Sequence, residues 1–368
     1  MTALTSPKVL GWRVHRQLLD PVGEGSVVDV VARLGAVPAW PDQTMELAVG
    51  ARRTDGRTGD VARALAANRV VKVFAFRGGT QLMTPQDAGA YLAVRASSRM
   101  WELPSWVSFY RLEPEDWPRF REFVRDTVAD GPLTLSELTA AFGRTSRYRH
   151  LKEIIDEGNE TLLKPLTWQG DVSLAPARDG EITFRRLDHV PGWAGMPDVD
   201  VAGPAVVAAY LHTYGPAPLA RVHDWVGKGL GAGRPAVTRW LGLLDERLET
   251  VTIDGDEVLA LGEDVDDLRT ASASTAVRLL PGRDPWVMAP GTSDARVVPP
   301  SRRELVSRSA NMVVARGVLA GTWTVRDARL EVIWFAESGR VPRTALDDEA
   351  ARLSTFLGRP LELTVDVG

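Results

Sequence analysis

The 368-residue sequence lacks the side-chain groupings that support most kinds of catalysis. Cysteine is absent, which excludes disulfides, thiolate nucleophiles and cysteine-ligated zinc or iron–sulfur sites. The five histidines form no HxH or HxxxH pair, so we expect no zinc site. No Walker A loop or GxSxG elbow occurs, and the glycine-rich segment 227–233 follows a helical pattern rather than a strand. We therefore expect no metal and no cofactor, and any catalysis must use carboxylates, amides and water.

The strongest candidate for binding phosphate is a basic segment at 144–152, RTSRYRHLK. It starts a predicted helix, and both helix N-termini and arginine side chains favour phosphate. The residues that we expect to contact DNA there are Arg144, Arg147, Tyr148, Arg149 and Lys152. The alternative is a solvated helix face whose charge is balanced by Glu153, Asp156 and Glu157. The sequence leaves both interpretations open.

Two smaller basic sites are further candidates for contacting DNA. Arg77 lies at a tight glycine turn between two predicted strands, from which its side chain can reach DNA or a substrate anion. Arg234 and Arg239 belong to a predicted helix further along the chain, next to Trp240. In both places the alternative interpretation is an ordinary surface arginine.

A polar, proline-rich segment separates two of the predicted helices. It covers 35–49, GAVPAWPDQTMELAV, and carries two prolines, a tryptophan, an aspartate and a glutamine close together. Helical patterns precede it at 26–34 and follow it at 44–53. The segment is either a plain connector or the floor of a site.

The elements that must position these residues form a layout that occurs three times. The first unit, 1–112, has helices at 26–34, 44–53 and 59–69, strands at 70–76 and 80–84 around Gly78-Gly79, and a helix at 85–101. Helices followed by a two-stranded ribbon are typical of a winged helix. The second unit, 113–200, has helices at 114–131, 132–143 and 146–158, then strands at 161–168 and 171–176 around Gln169-Gly170. Thr134 with Glu137 predicts a capping box, and Ser146 an N-cap.

The third unit and a different C-terminal region complete the predicted organisation. In the third unit, 201–270, helices at 205–215, 218–227 and 235–248 precede strands at 249–254 and 257–261, with Gly255-Asp256 as the hairpin loop. The region 271–368 combines strand patterns with a helix at 347–358 and a last strand at 361–367. The predicted fold class is mainly α with β-ribbons (α+β), with three tandem winged-helix units followed by a small β-rich C-terminal domain.

Composition limits the environment and the partners of the protein. No run of 18 apolar residues occurs and the N-terminus lacks the apolar core of a signal peptide, so we expect a cytoplasmic protein with no membrane partner. A net charge of −4 and a pI near 5.9 argue against non-specific binding of nucleic acid, although a local basic face can act alone. Exposed members of the twelve tryptophans can stack on bases or on a planar ligand.

Several segments, in order along the chain, resemble the AlkZ/YcaQ-like winged-helix DNA glycosylases. They are RLGAVPAWPDQTMELAVGARR (33–53), VVKVFAFRGGTQLMTPQD (70–87), DGPLTLSELTAAFG (130–143), YGPAPLARVHDWVG (214–227), LLPGRDPWVMAPG (279–291) and VLAGTW (318–323). The resemblance implies three winged helices in a C-shape, a β-rich C-terminal domain and a concave DNA-binding face. It also implies excision of bulky alkylated purines, including interstrand cross-links, and self-resistance to alkylating natural products in some members.

The catalytic signature of that family does not carry over. The resemblance places its Gln-x-Gln or Gln-x-Asp positions on Pro38 and Trp40, and a family histidine on Gln81. Gln81 is therefore a further candidate for contacting DNA, or for replacing a catalytic residue. Proline has no polar side-chain group and indole only donates, so neither can hold or deprotonate a water. Pro38 and Trp40 can instead line a pocket in which Trp40 stacks on a flipped base or a planar drug, or Trp40 can fill the core.

A shifted catalytic site is the alternative to lost catalysis. Asp42 can act as a general base and Gln43 as a water-holding amide, with Glu46 nearby. The structural alternative is that Asp42 is the N-cap of the next helix, with Gln43 and Glu46 in its solvated first turn.

Three functions therefore stay open. The first is a protein that binds double-stranded DNA or alkylated DNA on a glycosylase-like scaffold, with lost or weak base excision. The second is an active, monofunctional DNA glycosylase that serves DNA repair or self-resistance and uses Asp42 and Gln43. The third is a protein whose concave face binds a planar small molecule.

Overall fold

The computed structural model describes residues 4–368. Over these residues the helices are α1 (Ser6–Arg16), α2 (Val27–Leu34), α3 (Asp42–Gly50), α4 (Asp60–Ala66), α5 (Pro85–Ala96), α6 (Pro104–Tyr110), α7 (Trp117–Thr127), α8 (Leu135–Arg144), α9 (Arg149–Asp156), α10 (Lys164–Trp168), α11 (Val199–Tyr214), α12 (Leu219–Val222), α13 (Arg234–Leu243), α14 (Gly262–Thr270), α15 (Pro285–Met288), α16 (Arg303–Ser307) and α17 (Arg343–Leu357). A π-helix, His223–Lys228, continues α12. Short 3₁₀ turns include Phe76–Gly78, Met100–Glu102 and Glu160–Leu163.

The strands are short and most of them pair with a neighbour in sequence. They are β1 (Val37–Pro38), β2 (Val71–Phe74), β3 (Thr80–Met83), β4 (Leu133–Thr134), β5 (Val172–Arg178), β6 (Glu181–Arg186), β7 (Leu248–Ile253), β8 (Asp256–Leu261), β9 (Val277–Leu280), β10 (Asn311–Ala315), β11 (Val318–Arg326), β12 (Arg329–Trp334) and β13 (Glu362–Val367). The chain divides into two compact units, named here for their place in the sequence: the terminal unit (up to residue 61, 207–225 and 241–368) and the central unit (62–206 and 226–240).

The terminal unit contains a five-stranded sheet, in the order β13-β12-β11-β10-β9. Its pairs are antiparallel except for β12 and β13, which run parallel because α17 lies between them in the chain. Around β10 both faces of the sheet are buried, whereas most of the edge strand β13 is exposed. Met312 and Val314 of β10 pack with Leu10 and Trp286, whereas Val313 faces a second cluster that includes Phe356.

A separate β7–β8 hairpin of the terminal unit packs against α1 and α14. Its register pairs Ile253 with Asp256, so the two-residue loop is Asp254-Gly255. Both loop residues have positive φ, 50° and 95°, as a type I′ turn requires. The predicted hairpin is confirmed, but the predicted loop, Gly255-Asp256, is wrong by one residue.

The central unit contains five strands in the order β3-β2-β5-β6-β4. Its core is aromatic and includes Phe120, Phe142 and Trp168. The strand predicted at 161–168 is wrong: this segment forms the 3₁₀ turn Glu160–Leu163 and α10. A short apolar run fits a buried helix as well as a strand, which explains the error. The hairpin is therefore β5–β6, closed at Asp179-Gly180, and not a wing around Gln169-Gly170.

Local capping signals predicted some helix starts correctly and one wrongly. The Thr134 side chain accepts from the Glu137 N–H at the start of α8, which confirms the capping box. Ser146 is not an N-cap, because α9 starts at Arg149 with Tyr148 as its N-cap residue. The long helix predicted at 85–101 ends at Ala96.

The predicted α+β fold class, mainly helical with β-ribbons and a C-terminal sheet, is confirmed. The division into four parts at 112, 200 and 270, and the interpretation of three parts as winged helices, stay predictions. Within residues 4–368, no helix combines the length and the apolar character needed to cross a membrane.

Candidate nucleic-acid interface

The proline-rich segment of the terminal unit links α2 to α3. Gly35 ends α2 at positive φ, 71°, and the chain then runs through the buried β1. The Trp40–Pro41 peptide bond is cis, and α3 starts directly after it. Pro38 is buried, whereas the Trp40 side chain is 65% exposed. The interpretation of Trp40 as a residue that fills the core is therefore wrong, and its indole face is open to solvent.

Asp42 and Gln43 lie side by side in the first turn of α3, and both are exposed. The N-cap residue of α3 is Pro41, so the interpretation of Asp42 as an N-cap is wrong. A carboxylate and an amide are thus placed together at a helix N-terminus, two and three residues after the open face of Trp40. This arrangement can hold a water, as the shifted-site hypothesis requires.

Glu46 lies one turn further along α3 but points into the protein. It is 7% exposed, and its Oε2 accepts from the backbone N–H groups of Gly59 (3.1 Å) and Val61 (3.2 Å). These N–H groups belong to the start of α4, where backbone donors lack partners within the helix. The interpretation of Glu46 as part of a solvated first turn is wrong. Glu46 attaches α4 to α3, which argues against a catalytic role for it.

The turn between β2 and β3 belongs to the central unit. Arg77 and Gly78 both have positive φ, 52° and 70°, and the Arg77 side chain is exposed. Gln81, on β3 opposite Val73, is buried instead. Its Oε1 receives no hydrogen bond from any group in residues 4–368. The exposed Arg77 side chain can therefore reach an anion in solution. The buried Gln81 side chain can contact only a ligand that penetrates below the protein surface.

The basic cluster at α9 separates into paired, exposed and buried residues. Arg147 donates to Asp116 at 2.6 Å, and Lys152 forms an ion pair with Asp156. Arg144 and Arg149 are exposed and have no carboxylate partner in the part of the chain that the structure describes. These two arginines are available for phosphate without the loss of an ion pair.

Tyr148 is not available to DNA, which corrects its prediction as a contact residue. It is 2% exposed and packs between Phe120 and Phe123, with ring centroids 5.1 Å and 4.9 Å away. Burial raises the pKa of its hydroxyl. The cause of the error is the start of α9, which lies three residues later than Ser146 and turns Tyr148 toward the core.

The second basic site, on α13, has a counter-ion of its own. Arg239 donates to Asp200, and the buried Trp240 indole N–H donates to the same oxygen at 3.0 Å. These hydrogen bonds hold the pKa of Asp200 below its ordinary value. Arg234, at the start of α13, is exposed. Of the two predicted residues, only Arg234 reaches solvent without an acidic partner.

Sequence reasoning missed a second pair of cations in the central unit, Arg95 and Lys164. They belong to α5 and α10, far apart in the chain, and neither has a carboxylate partner within residues 4–368. No local pattern marks them, because Lys164 lay in a segment predicted as strand. The described residues also contain no group of three or more His, Asp or Glu side chains arranged to hold a metal ion.

Comparisons with known proteins identify the family. The family model described as DNA glycosylase AlkZ-like matches residues 31–356. The interstrand DNA cross-link repair glycosylase of Streptomyces sahachiroi is 32% identical over 357 residues, which cover 95% of this chain and 96% of that protein. The solved structure of Streptomyces sahachiroi DNA glycosylase AlkZ superposes with a TM-score of 0.93 at 31% identity and covers both chains completely.

A partial match is too short to carry an argument. A cysteine–tRNA ligase of Paracoccus denitrificans is 36% identical over 109 residues, which is only 22% of that protein. The family and structural matches, by contrast, extend over nearly the whole chain. This protein therefore belongs to the AlkZ-like family of DNA glycosylases.

Proposed function

We propose that this protein binds double-stranded DNA, including duplexes with alkylated bases, and that its base-excision activity is lost or weak. The observation that carries the second part is the pair Pro38 and Trp40. At the two positions where the family resemblance expects polar side chains, one residue is a buried proline and the other an exposed indole. Hydrolysis of a glycosidic bond requires a group that accepts a hydrogen bond from water, and neither side chain does so.

The first part of the proposal, DNA binding, is supported by the family and by the distribution of charge. The relative from Streptomyces sahachiroi is named for the repair of interstrand DNA cross-links. In this chain the net charge is −4, so binding must rely on local basic groups rather than on the average charge. Arg77, Arg144 and Arg149 are exposed arginines that supply such groups. They can contact phosphates without regard to sequence.

Trp40 supplies a different contact, with bases rather than with phosphate. Its side chain is 65% exposed, which leaves a wide aromatic face for stacking. Stacking of a base on an aromatic side chain contributes about 1–3 kcal/mol in single-strand complexes. Trp40 therefore favours a lesion in which a base, or a planar adduct on a base, has left the stack.

An active glycosylase is the second candidate, and the first turn of α3 is the observation that favours it. Asp42 and Gln43 are exposed and adjacent there. Base excision needs a group that accepts a hydrogen bond from water, and the carboxylate of Asp42 is such a group. In this alternative Asp42 is the general base, Gln43 positions the water, and Trp40 contacts the adduct.

A single-turnover excision assay separates the two candidates. A duplex with one bulky N7-alkylguanine is incubated with excess protein, and abasic sites are counted against spontaneous loss of the base. We expect a rate at or slightly above the spontaneous rate. A clearly faster rate that is abolished in Asp42→Asn and Gln43→Ala, but not in the matched surface variant Glu24→Gln, overturns the proposal of lost or weak activity.

DNA binding is tested separately, so that the two parts of the proposal fail independently. Direct titration of the same duplex, with and without the lesion, gives the affinity for each. Lack of salt-dependent binding to either duplex refutes the DNA-binding function, whatever the excision assay shows.

A further inference from the structure

Arg95 and Lys164 form a cationic pair in the central unit. Arg95, near the C-terminal end of α5, is 5% exposed, and its guanidinium lies 3.7 Å from the ring centre of Trp168. Lys164, the first residue of α10, is half-buried, with its Nζ 5.3 Å from the ring centre of Phe74. Both cations are thus held against aromatic faces rather than against acids.

The guanidinium of Arg95 is held by neutral groups only. Nη1 donates to Ser98 Oγ at 3.0 Å, and Nη2 lies 3.1 Å from Met100 Sδ. Its Nε is buried and has no hydrogen-bond partner in the described chain. A buried charge without a counter-ion is costly. Two other buried arginines, Arg13 and Arg52, are paired with Asp294 and Asp284, whereas the buried Arg185 also has only neutral hydrogen-bond partners in residues 4–368.

The pKa values of Arg95 and Lys164 are both lowered, as expected for cations that lack a neighbouring anion. Burial lowers the pKa of Arg95 to about 10. Burial, and then the positive charge of Arg95, lower the pKa of Lys164. The two cations therefore repel each other, and no acidic side chain among residues 4–368 forms an ion pair with either of them.

Of the two cations, Lys164 lies next to the turn between β2 and β3. A Cβ atom built on Gly78 would lie 3.7 Å from Lys164 Nζ, so the ammonium group lies beside this turn. Arg77, the preceding residue, is exposed. The first two residues of β3, Thr80 and Gln81, each carry a buried side-chain oxygen without a hydrogen-bond partner in residues 4–368. Lys164 and Arg77 thus lie at this turn, and the two residues with unsatisfied polar atoms follow it in the chain.

We propose that Lys164, with Arg95 and Arg77 adding positive charge around it, forms a binding site for a phosphate group at the β2–β3 turn. This inference rests on the DNA-binding function proposed above for the source of the phosphate, which is a phosphodiester of the DNA backbone. The anion replaces the missing counter-ion of the pair, and Lys164 is the residue that contacts it. A compact ammonium group on a flexible stem suits such a point contact.

The test removes the charge of Lys164 and keeps its apolar stem. Lys164→Met is the test variant, and Lys164→Arg retains the charge. Lys8→Met is the matched control, because Lys8 lies on α1 and has no ion pair in the described structure. For each full-length protein, the affinity for an unmodified duplex is measured at several salt concentrations. We expect the slope of log K against log salt to decrease by about 0.9 in Lys164→Met only.

Two further measurements identify the source of the phosphate and exclude a purely structural role. Thermal unfolding is followed in sodium phosphate and in sodium chloride of equal ionic strength. Without phosphate, Lys164→Met should unfold at the same or a higher temperature than the wild type, because the variant lacks the repulsion with Arg95. A lower unfolding temperature means that Lys164 has a structural role, and overturns the proposal.

The outcomes divide clearly between support and refutation. A reduced salt slope in Lys164→Met, with the same phosphate-induced stabilisation as the wild type, assigns the site to the DNA backbone. An unchanged slope with loss of that stabilisation assigns it to free phosphate. If Lys164→Met changes neither quantity, the site does not bind phosphate. If the wild type does not bind DNA, the proposed function fails, and the phosphate measurement alone decides this site.

Discussion

The exposed arginines at the end of α8 and the start of α9 provide the sharpest test of the proposed DNA binding. Arg144 and Arg149 have no acidic partner within residues 4–368, whereas Arg147 and Lys152 are paired with Asp116 and Asp156. A paired cation must give up its ion pair to contact phosphate, so its net contribution to DNA binding is smaller. The structure therefore predicts that two charge-removing double variants of equal net charge, Arg144→Gln/Arg149→Gln and Arg147→Gln/Lys152→Gln, behave differently.

The expected magnitude follows from the number of phosphate contacts. If both unpaired arginines contact phosphate, the slope of log K against log salt decreases by about 1.8, at about 0.9 per contact. Between roughly 50 mM and 200 mM salt, this corresponds to about a 12-fold change in the affinity ratio of wild type to Arg144→Gln/Arg149→Gln. For Arg147→Gln/Lys152→Gln we expect a much smaller decrease in slope.

The assay is the titration of a fluorescent duplex by anisotropy at four or more salt concentrations. Circular dichroism and thermal unfolding verify that both double variants fold, which we expect because none of the four side chains is part of the core. Equal slopes for the wild type and Arg144→Gln/Arg149→Gln would remove α9 from the interface. Equal decreases in the two double variants would show that ion pairing does not limit access of these residues to phosphate.

Three further predictions concern the catalytic positions and the stability of the terminal unit. Pro38→Gln/Trp40→Gln should raise the single-turnover rate of N7-alkylguanine excision above that of the wild type, and an unchanged rate would show that more than these two side chains is missing. Asp284→Asn should lower the free energy of unfolding by about 3–5 kcal/mol in urea titrations, because it leaves the fully buried Arg52 guanidinium without its bidentate partner. A loss below about 1 kcal/mol would contradict this account. The double variant Arg52→Met/Asp284→Leu should recover much of the lost stability, because it removes both buried charges. Hydrogen bonds from Arg302 lower the pKa of Glu337 from 4.5 to about 2. Its stabilising contribution is therefore complete above pH 4.5 and is lost as the pH falls toward 2, and Glu337→Gln should weaken the pH dependence of unfolding in that interval.

Local signals in the sequence predicted the elements well but not the inward or outward direction of individual side chains. The Thr134–Glu137 capping box and the β7–β8 hairpin depend on residues close together in the chain, and both are present. Glu46 illustrates the opposite case. Its polar character suggested a solvated turn, but the backbone N–H groups that it binds belong to the next helix, which no pattern within α3 reveals.

Residues of the candidate interface could be predicted from the sequence only where a local cluster of basic residues marks them. Exposed Arg144 and Arg149 lie in a segment that composition alone marks as basic. Lys164 was assigned to the wrong kind of element, because the apolar run at 161–168 fits a strand and a short buried helix equally well. Arg95, whose charge lowers the pKa of Lys164, lies on another helix, so their interaction has no sequence signature.

The way in which α3 is held explains how the fold can persist without the polar residues at positions 38 and 40. Glu46 attaches α3 to the start of α4, and Arg52, just after its C-terminal end, is anchored to Asp284. Neither support uses the side chain of Pro38 or Trp40. Because these supports do not use the side chains at positions 38 and 40, the placement of α3 does not depend on whether those side chains are polar or apolar. The same independence means that α3 can accept polar side chains at these positions without a loss of its anchors.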